Sequence, residues 1–90
     1  MVTVQDFRDA WANKADREPA MEIARQYVEQ ERAMLEPILG GKTRDELVKV
    51  VDLCRAAGNH NMATAATMWE LVTFPRQQIG GDIRPGGRSG

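Results

Sequence analysis

The chain has one cysteine, Cys54, among its 90 residues. A lone thiol cannot close an intramolecular disulfide, and it cannot furnish the cysteine-rich ligand set of a structural zinc site. A surplus of either charge is also missing, the formal net charge being -1. Without a broad basic field there is no strong general pull toward nucleic acid or anionic lipid. No uninterrupted apolar run approaches the ~20 residues of a membrane-spanning helix. The opening MVTVQDFRDAW has no basic region leading into an apolar stretch, the pattern of a secretory signal. The expectation is a cytoplasmic protein without membrane association.

A local scarcity of charge is more telling. Charged residues make up 28% of the chain, yet NHNMATAATMWELVTF, Asn59–Phe74, holds only Glu70. The surrounding residues divide into helical segments, and no strand pattern stands out. Thr3 can cap a short helix reaching about Asn13, with Val4, Phe7, Ala10 and Trp11 on one side. Asp16 and Glu18 place negative charge at the start of a second helix, and Pro19 suits its first turn. That helix is expected to run to about Leu35–Leu39, gathering Ala20, Met21, Ala24, Tyr27, Val28, Leu35 and Ile38 on one stripe. Pro37 should kink or end it, and Gly40-Gly41 should close it.

The third helix carries the strongest start signal, the capping box Thr43-Arg44-Asp45-Glu46. Leu47, Val50, Val51, Cys54 and Ala57 form its inner stripe, with Lys49, Asp52, Arg55 and Ala56 outside. Gly58 reads as a left-handed helix terminator and Asn59 or Asn61 as the cap of the fourth helix, so the last two helices are packed neighbours. The fold class is therefore all-α, with four helices in a compact bundle or orthogonal array. Residues 1–74 form a single helical domain. Residues 75–90, rich in Gly and Pro and net +2, form a flexible tail.

On the last helix Met62, Ala65, Ala66, Trp69 and Val72 make an ordinary core stripe. The other side, Ala63, Thr64, Thr67, Leu71 and Phe74, has none of the Lys, Glu or Arg that a solvated face carries. A helix that is apolar or neutral all round is buried on more than one side. It can be enclosed by its own chain or covered by a second one. With only three other helices available, the reading favours a second chain, most simply a two-fold homodimer anchored by Leu71 and Phe74.

Residues that could carry chemistry do not assemble into a catalytic set. Gly40-Gly41-Lys42-Thr43 has the ending of a phosphate-binding loop, but Glu36 stands where its first glycine belongs and a helix precedes it. Cys54, His60 and Met62 are close in sequence, yet Cys54 sits on an apolar stripe and no second His or Cys exists, so no metal or cofactor is expected. Glu31 falls at the centre of the second helix's apolar stripe, which suggests a buried or interface carboxylate paired with an arginine or fixing helix register. The leading expectation is a non-enzymatic protein–protein interaction module (an adaptor, accessory subunit or inhibitor) that self-associates through its last helix. The alternative is a small helix-turn-helix DNA-binding regulator. It would use the last two helices, with phosphate contacts from Lys42, Arg44, Arg55, Arg76, Arg84 and Arg88.

Overall fold

Local capping chemistry sets where most of the helices begin. The computed structural model describes residues 1–75, and these form five α-helices with no strand among them: α1 Val4–Trp11, α2 Glu18–Gln30, α3 Arg32–Leu39, α4 Arg44–Ala56 and α5 His60–Thr73. The expected tail beyond Pro75, with Arg76, Arg84 and Arg88, lies outside the described residues. No helix among them is long and apolar enough to cross a membrane.

At α4 the anticipated box is complete. The Glu46 N–H donates to Thr43 Oγ1 at 3.2 Å, and the Thr43 N–H donates to Glu46 Oε1 at 2.8 Å. That backbone hydrogen bond is the main reason the Glu46 carboxyl titrates below its usual range; the Thr43 side chain, Lys42 and Lys49 act in the same direction. A second box opens α1, where Thr3 and Asp6 exchange the same pair of bonds at 3.1 and 2.9 Å. Between α4 and α5, Gly58 takes φ +80°, the Gly58 N–H donates to the Arg55 carbonyl, and the Asn59 N–H donates to the Cys54 carbonyl. This is a Schellman ending. Asn59 then accepts from the Met62 N–H at 3.1 Å and caps α5 without any intervening loop.

The expected second helix is two helices. The chain leaves helical geometry at Glu31 (φ -108°, ψ 18°), and the Glu31 carbonyl accepts from both the Met34 and Leu35 N–H groups as α3 starts. Pro37 lies inside α3 rather than ending it. The interruption resets the helical phase. α2 buries Ala20, Ala24 and Val28 as the stripe predicts, whereas α3 buries Leu35 and Leu39 and leaves Met34 and Ile38 47% and 48% exposed. Ile38 therefore does not join the core. Gly40 closes α3 because a Cβ there would sit 2.6 Å from the Glu36 carbonyl oxygen, and Gly41 follows at φ +78°.

α5 is the central element. It packs against α4, α2 and α1, and half of its fourteen residues are buried: Ala63, Ala65, Ala66, Met68, Trp69, Glu70 and Leu71. The expectation of a second face open to another chain is corrected at two of its residues, Ala63 and Leu71, while Thr64, Thr67 and Phe74 stay half-buried. Leu71 is 4% exposed and Ala63 3%, both within the chain's own core. Three neighbouring helices enclose α5 from several directions, which a count of helices and lengths did not anticipate.

Replacing Leu71 with alanine should therefore cost about 2–5 kcal/mol in urea denaturation, the range for a buried leucine; a surface leucine would change stability by less than about 0.5 kcal/mol. The capping carboxylate gives a pH signature. Because folding lowers the Glu46 pKa, its contribution is fully present above the unfolded value of about 4.3 and is lost as pH falls through the folded value. The stability gap between the wild type and Glu46→Gln, measured by chemical denaturation, should be constant near neutral pH and shrink as the solution is acidified below that range.

Candidate functional site

A cleft of about 380 Å³ lies between α1, the N-terminal half of α5 and the end of α4. Its apolar wall is built by α1. Phe7 and Trp11, four residues apart on that helix, stack with ring centroids 5.4 Å apart and planes at 22°. Ala63 on α5 lies opposite, small enough to leave the cleft open, with Thr64 and Thr67 beside it. Thr67 donates its hydroxyl to the Ala63 carbonyl at 2.9 Å.

Arg8 forms the polar edge and locks α1 to α5. Its Nε donates to Thr64 Oγ1 at 3.1 Å, and one Nη donates to the His60 carbonyl at 3.0 Å and to Asn61 Oδ1 at 3.1 Å. The other Nη reaches Gln5 Oε1 at 3.3 Å. All four acceptors are neutral, so Arg8 is well anchored while its charge stays uncompensated. Arg55 and His60 complete the rim, and no Asp or Glu lines the cleft.

The distribution of arginines makes this cleft distinctive. Among the described residues Arg25 pairs with Glu18 and Glu22, Arg32 with Glu29, and Arg44 with Glu70. Arg8, Arg17 and Arg55 have no carboxylate within ion-pair distance among those residues. Arg8 and Arg55 line the cleft, and Arg17 lies over the Trp11 ring at 3.9 Å with its Nε buried and without a hydrogen-bond acceptor. Of the three, Arg8 and Arg55 thus line the cleft that Trp11 walls, and Arg17 stacks on Trp11 itself.

Residues singled out from the sequence are distributed over separate places. Ala63, Thr64 and Thr67 line the cleft together with Arg55. Leu71 is in the core, and Phe74 is half-buried beside Lys42, Thr43, Arg44 and Asp45 in an open depression at the start of α4. The five do not form one surface. Lys42 and Arg44 sit at one end of α4 and Arg55 at the other, ~17 Å apart at 1.5 Å per residue, so they make no continuous basic stripe.

Glu31 departs from expectation as well. It occupies the break between α2 and α3, is half-buried, and accepts a hydrogen bond from Gln30 Nε2 at 3.1 Å rather than pairing with an arginine. Gln30 uses the same amide to grip the chain before α1, donating to the Val2 carbonyl at 2.9 Å and accepting from the Val2 N–H at 3.1 Å. Desolvation, reinforced by the Glu31 charge, raises the Tyr27 hydroxyl pKa at this corner. The buried carboxylate is Glu70 instead. Its side chain is 11% exposed, and its Oε2 lies 3.2 Å from Arg44 Nε, which is not aligned to donate to it. The contact is thus ionic rather than a hydrogen bond. The signal for it was the isolation of Glu70 in an uncharged helix.

Among the described residues no three His, Cys, Asp or Glu side chains cluster as a metal site. The chain matches no family model, no curated protein and no solved structure.

Arg44 and Arg25 should respond differently to mutation. Arg44→Leu removes a cation 3.2 Å from a carboxylate largely out of water and should cost more stability than the loss of an exposed pair. Arg25→Ala, at an exposed pair, should cost about 0–1 kcal/mol. Parallel urea titrations compare the two; equal losses would mean that Glu70 gains nothing from Arg44.

Proposed function

We propose that this protein is a non-enzymatic interaction module, and that the open side of its last helix, facing α1, is the surface a protein partner covers. The observation that carries this reading is the cleft itself. An aromatic wall of Phe7 and Trp11, a floor at Ala63 and a rim of Arg8 and Arg55 without acidic partners form a half-apolar, half-cationic recess. Aromatic residues and arginine are the types that dominate binding energy at protein interfaces. A recess of this size takes one or two large side chains, as an interface anchor requires.

Self-association is a second form of the reading, favoured by a different feature. Met34 and Ile38, one helical turn apart on α3, are each about half exposed and form an apolar strip that a second copy could bury. In this form the contact lies on α3 rather than at Leu71.

The two forms separate in one experiment on three proteins: the wild type, Ala12→Trp, which places an indole from an exposed position into the cleft, and Ile38→Ser, which interrupts the α3 strip. Each tagged protein is used to capture partners from the source organism, and each is sized by light scattering. The cleft reading expects a captured protein, or a dimer, that is retained by Ile38→Ser and lost by Ala12→Trp with unchanged helicity by circular dichroism. The reverse pattern moves the interface to α3. Identical behaviour of all three removes both surfaces.

A further inference from the structure

Resting on the interaction reading, we infer that the α1/α5 cleft selects an acidic segment of a protein partner, one that carries a bulky apolar side chain beside its carboxylates. The recess holds about 380 Å³ and has an apolar half, Phe7, Trp11 and Ala63, and a cationic half, Arg8 and Arg55. An apolar side chain alone would satisfy the first half and leave two guanidinium groups facing it unpaired. A carboxylate beside that side chain satisfies both.

The guanidinium groups are suited to different parts of this task. Arg8 is held by four neutral acceptors on α1 and α5, so its position is fixed before any ligand arrives and little ordering entropy is lost on binding. The Arg55 side chain makes no hydrogen bond or ion pair with the described residues and is exposed at the end of α4, free to close on a carboxylate as a two-pronged donor. Arg17, stacked on Trp11, adds positive charge next to the apolar wall. The acids of α1 do not oppose this field from within. Asp6 is engaged in the helix cap and Asp9 accepts from Gln5 Nε2 at 2.8 Å, and neither lines the cleft. Electrostatic complementarity of this kind decides partner choice and approach rate more than total affinity.

The test is a titration of the full chain, isotopically labelled, followed by nuclear magnetic resonance. The probe is a capped peptide of glutamates around a central leucine and phenylalanine. Three controls accompany it: the same peptide with lysines replacing the glutamates, an all-glutamate peptide, and inorganic phosphate. The expected result is saturable shifts at the Trp11 indole N–H and at the Thr64 and Thr67 amides with the mixed peptide. Binding should be roughly tenfold weaker when either the charge or the apolar pair is missing. Arg55→Glu, an exposed substitution, should weaken the acidic peptide roughly tenfold and strengthen the lysine peptide. Equal binding of the lysine and glutamate peptides would overturn the charge selection. Equal response to phosphate would reduce the site to a simple anion site, and shifts confined to Lys42 and Arg44 would move it off the cleft. If the peptides fail but a native partner is still lost on Ala12→Trp, only this inference falls; if that partner also binds Ala12→Trp, the cleft is not the interface and the proposed binding surface falls with it.

Discussion

A helix with one charge in fourteen residues cannot face water along its length, and the rest of the structure follows from covering it. α5 is that helix. Each of α1, α2 and α4 is held against it, and the four largest fully buried side chains are Leu35, Leu39, Leu47 and Met68. Small residues allow this. Ala63, Ala65 and Ala66 let neighbouring helices approach closely, while Met68, Trp69 and Leu71 fill the space between them. A domain of this size has little core to spare, so enclosing one helix from several sides is an effective use of limited apolar area.

Polar anchors then fix how the covering helices sit. Arg8 ties the shortest cover, α1, to the first turns of α5 through Thr64, Asn61 and the His60 carbonyl. At the far end Glu70 and Arg44 place a charge pair between α5 and the start of α4. Gln30 clasps the segment before α1 by both its backbone groups at Val2. The cleft is a by-product of the same arrangement: α1 is short, and Ala63 beneath it is small, so the groove between α1 and α5 stays unfilled with its aromatic wall and arginine rim intact.

Much of the secondary structure was legible in the residues. Thr43 with Glu46, Gly58 and Asn59 fulfil the roles their chemistry assigns, and the inner stripe of α4 at Leu47 and Val51 is buried as spacing predicts. The misreadings along the second helix share one cause, the extension of local periodicity past a point where the chain changed direction. The stripe through Ala24, Glu31 and Leu35 presumed an unbroken helix; the departure at Glu31 moved Ile38 outward and placed Glu31 at a corner beside Gln30 and Tyr27. The capping box at Thr3 passed unseen because its acid is Asp6, shorter than the Glu or Gln the pattern favours.

The sequence by itself determined that the described residues are helical, where α4 and α5 begin and how they join, and that α5 must be buried on more than one side. Those properties depend on backbone hydrogen bonds and solvation of residues near one another in the chain. Which surfaces meet was decided only by tertiary structure. Leu71 went to the core, Arg44 found Glu70, and Arg8, Arg17 and Arg55 were left without acids around Trp11. Periodicity ranks faces by their need for burial but carries no information on which helix supplies the cover, and that choice is made by packing among segments distant in sequence.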